Sequence, residues 1–217
     1  IDQANALLDD MGFPTNSAGI RMLPDGREMN IIVETAGEST EQTDVLELIK
    51  DDWAKIGVKM FIKPSQRDIL RNRVFAGATQ ISVWTGFENG MPTASFNPAE
   101  WAPTSQHSFQ WPKWGQYNET KGRAGEPPDM PAAIALADLH KRWLASNSLD
   151  ERAGIWGEML AIHADQVFTI GVISGVMQPV VVRKSLRNVP KDAVYNWDPG
   201  ANFGIYRPDT FWFETAN

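Results

Sequence analysis

The sequence predicts an α/β protein, a mixed sheet of βαβ units flanked by helices and carrying a long irregular, Trp-rich insertion. Residues 29–63 read as strand, helix, strand, and residues 65–84 repeat the helix–strand half of that unit. Residues 86–130 then show little periodicity while staying rich in Gly, Pro and aromatic side chains. A connection of helical length between two apolar strands favours a parallel pair with the usual crossover.

The first element is a short helix over Asn5–Met11, with Ala6, Leu7 and Leu8 apolar and Gly12 as its stop. Pro14–Ser17 is loop, and Asp25-Gly26 is a turn signal. Met29–Thr35 follows as a buried strand on the strength of its Ile-Ile-Val run. Ser39 and Gln42 fit a capping box. Beyond them Val45, Leu46, Ile49, Trp53 and Ile56 fall on one helical stripe, closed by Gly57. In Val58–Lys63 the residues Val58, Met60 and Ile62 alternate with Lys59, Phe61 and Lys63, as a strand requires. Ser65 is expected to cap a helix Gln66–Ala76 that turns Ile69, Leu70, Val74 and Phe75 inward, with Gly77 as its stop. Thr79–Trp84 reads as a third strand and delivers the chain into Trp-Thr-Gly-Phe-Glu-Asn-Gly at 84–90. That position matters because ligands of open α/β sheets bind beyond the carboxyl ends of the strands.

After the insertion one helix starts at Pro131, a good first-turn residue, and runs to about Ala145. A second starts after Ser148, with Glu151 completing another capping-box pattern, and runs to about Ala164. Val167–Ser174 and Gln178–Arg183 read as strands, and Tyr195–Glu214 as an aromatic tail of irregular structure and short strands.

Length and composition bound the function. The 217 residues suffice for one large domain or two small ones. A hydrophobic share of 42% and a charged share of 22% describe a folded globular chain. The net charge of −7 repels a nucleic-acid backbone and an anionic membrane surface, so no nucleic-acid partner is expected. The chain has no cysteine, which removes disulfides, thiolate nucleophiles and Cys-based metal sites. The longest apolar run, Val167–Val176, is broken by Thr169, Gly171, Ser174 and Gly175 and is too short to span a bilayer. The first residue is Ile, and the chain is expected to be a piece of a longer, processed protein.

Catalytic constellations find little support. His107, His140 and His163 stand at no zinc-binding spacing, and no metal site is expected. Ser174-Gly175 lacks the setting of a nucleophile elbow. Gly86, Gly90 and Gly115 form no phosphate-binding loop, and no cofactor is expected. Glu88 and Glu100 offer a carboxylate pair for a saccharide hydrolase, the alternative enzyme reading, and a stand-alone carbohydrate-binding module is the alternative without catalysis. What remains is aromatic. Trp84, Phe87, Trp101, Phe109, Trp111, Trp114 and Tyr117 sit in or beside the insertion, where they either line a ligand cleft or build the insertion's own core. Trp53, Trp143 and Trp156 lie on helical stripes and are assigned to core.

Arg21, Pro24, Asp25 and Gly26 before the first strand, with Asp52, Trp53, Ile56 and Gly57 at the end of the next helix, carry a family pattern. Together with the Trp-containing loop after the third strand, the chain resembles the C-terminal part of the bacterial extracellular solute-binding proteins of family 5. These are the receptors of ABC importers for oligopeptides, dipeptides, nickel and oligosaccharides. The resemblance implies a type II periplasmic-binding-protein-like lobe and a receptor, not an enzyme. It is expected to be a monomer that works in the periplasm or otherwise outside the cytoplasm. Residues 1–183, with the insertion at 86–130, are expected to form the second lobe of a two-lobed protein, and residues 184–217 to return to a first lobe largely absent from this chain. The implied partners are a small solute, the first lobe and a membrane permease. The candidate ligand contacts are Trp84, Phe87, Glu88, Asn89, Trp111 and Trp114. In peptide-binding members the loop after this strand carries an aspartate for the peptide α-amino group. The matching place here is about Phe87, which shifts the expected ligand toward a sugar, a sugar conjugate or an opine-like solute.

Overall fold

The computed structural model describes residues 1–84, 94–172, 179–192 and 207–214. The chain forms two compact units, residues 1–84 with 106–125 and residues 85–105 with 126–217.

In the first unit, α1 (Asp2–Asp10) precedes β1 (Asn30–Thr35), α2 (Thr40–Ala54), β2 (Lys59–Pro64), α3 (Arg67–Phe75), β3 (Ile81–Ser82) and α4 (Pro112–Glu119). The sheet order is β2-β1-β3 and both pairings are parallel, as the two strand–helix–strand readings require. Asn30 lies opposite Lys59 and Thr35 opposite Pro64, so β1 and β2 end level with each other. The core beneath is Val33, Leu46 and Met60, with Ile31, Ile49, Trp53, Ile62, Ile81 and Val83 packed on it. These residues come from the strands and the inward stripe of α2, and each large side chain withdrawn from water contributes roughly 1.5–3 kcal/mol. The Ser39 hydroxyl accepts from the Gln42 amide at 3.2 Å, the expected cap of α2.

The Arg21 to Gly26 and Asp52 to Gly57 segments interlock. Arg21 is only 2% exposed. Its guanidinium donates to Ile56 O at 3.1 Å, Phe13 O at 2.7 Å and Asn5 Oδ1 at 2.7 Å, and pairs with Asp9. Gly57 has φ +79°, and a Cβ there would stand 2.6 Å from Gly19 O. Glycine is therefore required twice over, by conformation and by close approach.

Several expectations for this unit need correction. Ser65 does not cap α3. Gln66 holds the N-cap position, while the Ser65 amide bonds to Thr35 O at 3.0 Å and so continues the β1–β2 ladder. Ile69 is 50% exposed because the nine-residue helix turns only Leu70 and Val74, one turn apart, fully inward. The third strand is two residues long, since Gln80 Oε1 takes the Ile32 N–H at 2.7 Å where a ladder carbonyl would otherwise accept it. Finally, α4 lies inside the segment read as irregular. Pro112 sets its first turn, but Lys113, Gly115, Gln116 and Asn118 leave no apolar stripe to reveal it.

In the second unit, α5 (Pro131–Ala145) and α6 (Leu149–Gln166) pack on each other; α5 buries Ala133, Leu136, Leu139 and Trp143, and α6 buries Ile155, Trp156, Met159 and His163. Both helices start where the sequence predicts, and the Ser148 hydroxyl accepts from the Glu151 amide at 3.2 Å. A two-stranded antiparallel sheet joins β4 (Leu186–Arg187) to β5 (Trp212–Phe213). The expected strands at 167–174 and 178–183 are not formed in their described parts, residues 167–172 and 179–183. Their apolar composition reads as strand, but no ladder partner is present among the described residues, and Ile170 is 71% and Val181 98% exposed.

Candidate functional site

Parallel pairing brings the carboxyl ends of β1, β2 and β3 to one edge of the sheet. At that edge the two loops leading into α2 and α3 enclose an open hollow of about 540 Å³, lined by Ala36, Gly37, Glu38, Pro64, Ser65, Gln66 and Arg67. Loop contact depends on Gly37, which has φ +65° and whose missing Cβ would sit 3.1 Å from Ser65 O. Thr35 ties the base together: its hydroxyl accepts from the Gly37 amide at 3.2 Å and its carbonyl accepts from the Ser65 amide at 3.0 Å.

The charged groups at this edge are arranged in two layers. In the upper one Arg67 Nε donates to both carboxylate oxygens of Glu38, at 2.9 and 3.0 Å, and Nη2 adds a further bond to Oε2. The same guanidinium carbon lies 5.4 Å from the centre of the Trp84 ring. In the lower layer Glu34 is buried on β1, held by Arg73 of α3 through Nε and Nη2, both at 2.7 Å. The Arg73 hydrogen bonds, despite burial, hold the Glu34 carboxyl below the usual carboxylate range, helped by Lys63 at 3.7 Å. Glu34 is thus a fixed anion under the sheet edge, and Arg73 also donates to Ala78 O at 2.9 Å, fastening the turn before β3.

Trp84 stands where the sequence places it, directly beyond β3. It is half-buried, with its ring 4.7 Å from Phe109, which in turn meets Phe75 edge-on at 6.0 Å. The aromatic run 106–111 therefore buttresses the sheet edge from one side. Trp111 is only 4% exposed, at the N-cap of α4, and Trp114 is half-buried in that helix. Phe87, Glu88 and Asn89 lie outside the described residues. Glu100 sits in a 3-10 turn, Ala99–Trp101, of the second unit. The sequence reading missed Gly37, Glu38 and Arg67. Their one signal is a pair of opposite charges three residues past β1 and β2, which become neighbours only through the parallel register of those strands.

The indoles of α5 and α6 serve structure. Trp143 and Trp156 are 7% and 6% exposed, and their N–H groups donate at 3.1 Å to Ala94 O and Phe96 O. His163 Nε2 meets Trp101 O at 2.8 Å, and burial pushes its imidazole below the usual histidine range. Among the described residues no group of three or more acidic or imidazole side chains could hold a metal ion, and no helix is long and apolar enough to cross a membrane.

With this geometry in hand, the chain can be set beside known proteins. A family model described as bacterial extracellular solute-binding proteins, family 5 Middle, matches residues 1–109. The periplasmic alpha-galactoside-binding protein of Rhizobium meliloti (strain 1021) is 23% identical over 211 residues, which cover 91% of this chain and 28% of that protein. Among solved structures, an oligopeptide-binding protein, OppA, superposes with a TM-score of 0.75 at 25% identity, covering 99% of this chain and 35% of its own. The periplasmic binding protein MelB of Agrobacterium fabrum C58, solved in complex with stachyose, gives a TM-score of 0.64 at 18% identity, covering 78% of this chain and 25% of its own. The chain spans about a third or less of the length of these relatives.

Proposed function

The chain belongs to the bacterial extracellular solute-binding proteins of family 5, with the α/β architecture of the type II periplasmic binding proteins, and we propose that it is a ligand-binding lobe of an ABC-importer receptor. Residues 1–183, including 86–130, act as the second lobe, and residues 184–217 return to a first lobe contributed by the rest of the full-length protein. The receptor is monomeric, works outside the cytoplasm, performs no chemistry on its solute and hands it to a membrane permease. The relatives named above are themselves binding proteins, of an oligopeptide in one case and of saccharides in two.

Capture follows from two lobes closing over a peptide, an oligosaccharide or an opine-like conjugate. The ligand selects the closed state because only that state contacts it from both sides. In this lobe Trp84 supplies an aromatic face, with Phe87, Glu88 and Asn89 next after it in the sequence and Trp111 and Trp114 at the start of α4. The observation that carries this reading is the hollow at the shared carboxyl edge of β1 and β2, with Trp84 fixed beside its Arg67. Ligands of open α/β sheets occupy that edge.

The test is a thermal-shift screen of the full-length protein against di- and oligopeptides, oligosaccharides and opine-type conjugates. A ligand bound only by the folded protein at a hundred times its Kd stabilises it by about 2.7 kcal/mol, enough for a clear rise in Tm. Turnover of a glycoside, abolished by Glu88→Gln, would replace this reading with the hydrolase. Full affinity in the isolated lobe would replace it with a carbohydrate-binding module.

A further inference from the structure

We propose that the Asp25–Gly26 step is a site of spontaneous backbone modification, isomerisation to isoaspartate, and that Arg27 holds it closed in the folded protein.

The sequence contains a single Asp-Gly step. The chemistry there is intramolecular and needs only water. The Gly26 backbone nitrogen attacks Asp25 Cγ. The N–Cγ bond forms, the nitrogen gives up its proton, and a carboxyl oxygen departs as water, which closes a succinimide ring. Water then reopens the ring. Attack at Cγ restores aspartate. Attack at the Asp25 backbone carbonyl leaves Gly26 joined through Cγ and so places Asp25 Cβ in the main chain. Glycine in the second position favours closure, because no side chain hinders the attacking nitrogen.

Burial does not protect this step, since the side chains of Asp25 and Arg27 are 51% and 77% exposed. Bonding does. The Arg27 amide donates to Asp25 Oδ1 at 3.1 Å, its Nε donates to Oδ2 at 2.8 Å, and its Nη2 lies 2.7 Å from the same oxygen. The side-chain bond from Arg27 holds the Asp25 carboxyl below the usual carboxylate range. An ionised carboxylate is a poor electrophile, because its oxygen must leave as water. The Gly26 N–H is meanwhile engaged by Leu23 O at 2.9 Å, and the Leu23 N–H by Arg27 O at 2.7 Å. Ring closure therefore waits for the turn to open, and its rate follows the open fraction.

The position gives the event a consequence. The turn joins two arms that pair Met22 with Glu28, and the Met29 N–H donates to Arg21 O at 2.8 Å. Glu28 in turn holds Lys59 of β2 at 2.7 Å. An extra main-chain carbon at the tip shifts these arms out of register beside the buried Arg21, so the first unit ages from this turn.

The test is peptide mapping of full-length protein after prolonged incubation at neutral pH, using a protease that does not cleave at arginine and mass spectrometry that separates isoaspartate from aspartate. Guanidinium-unfolded wild type supplies the unprotected rate, and Asp25→Glu, whose longer side chain disfavours the ring, identifies the peptide. Folded wild type is expected to isomerise roughly tenfold or more slowly than the unfolded chain, because only the opened turn reacts. Arg27→Ala should speed the folded protein about two- to fivefold, the worth of an exposed ion pair. Arg27→Lys should fall between, since an ammonium keeps the charge but loses the fork. Absence of isoaspartate at Asp25 in the unfolded chain would overturn the site. Equal rates in folded and unfolded wild type would overturn the protection. A folded rate unchanged in Arg27→Ala would overturn the role of Arg27.

Discussion

The two units answer the same physical demand with different chemistry. Each holds irregular chain against regular elements, and every carbonyl buried in the process needs a donor. In the first unit the donors are charged: Arg21 bonds the carbonyls of Ile56, Phe13 and Asn5, and Arg73 bonds Ala78 O while clamping Glu34. In the second unit three of them are rings, Trp143, Trp156 and His163, which reach Ala94 O, Phe96 O and Trp101 O from two helices, while Arg152 reaches Ser146 O. A guanidinium satisfies several carbonyls at once but needs a carboxylate or amide nearby. An indole satisfies one and brings its own apolar surface. Tryptophan by itself therefore does not mark a ligand site: Trp143 and Trp156 spend their N–H groups on backbone carbonyls.

The largest effect should come from the busiest donor. Arg21→Met in the full-length protein strips three carbonyls, Asn5 and Asp9 of their shared partner, and should cost about 3–5 kcal/mol in chemical denaturation. Arg21→Lys should recover only a part, because an ammonium cannot span the same fork. A cost under about 1 kcal/mol would mean that α1 and the 15–28 turns are held by something other than this hub.

Next is Trp156→Phe, which keeps a ring at the 6% exposed position but deletes the N–H donated to Phe96 O. The expected loss is about 1–3 kcal/mol, the range for one orphaned buried acceptor. Trp53→Phe is the control in the first unit, where the indole is recruited for packing on Val33, Leu46 and Met60. If both substitutions cost the same, indole donors are not what holds the second unit's irregular chain.

The two units share one device, and it calibrates the rest. Ser39→Ala and Ser148→Ala each remove a hydroxyl 3.2 Å from an amide at a helix start, and each should cost about 1 kcal/mol. Unequal costs would show that the units differ in cooperativity and not merely in donor chemistry.

What could be read in advance follows the same division. Local signals were legible: both Ser caps, Pro131 at a first turn, the β1–α2–β2 unit and the core assignment of Trp143 and Trp156. Each depends on a few neighbouring residues and a fixed period. The errors were at positions decided from elsewhere in the chain. Gln80 shortens β3 by bonding Ile32, and Thr35 claims Ser65 away from its cap. Val180–Val182 read as strand from composition alone, yet a strand exists only where a neighbour supplies its ladder. At the candidate site Trp84 was legible as the end of a strand. Glu38 and Arg67 were not, because 29 residues separate them and only the parallel pairing makes them neighbours.

The smallest effect is on pH, and it separates the units most cleanly. Burial depresses His163, so the folded form resists a proton that the unfolded chain accepts. Its contribution is whole above the ordinary histidine range and declines as pH falls through it. Glu34 is also depressed, by Arg73, but in the carboxylate range, so its contribution is whole above that range and lost only on further acidification. Hydrogen exchange read on peptides of β1 and of α6 should therefore show α6 loosening first, between about pH 7 and 5.5, while β1 stays protected until about pH 4 or below. Loss of protection in both at one pH would mean that the ring-held and the ion-held units unfold as one.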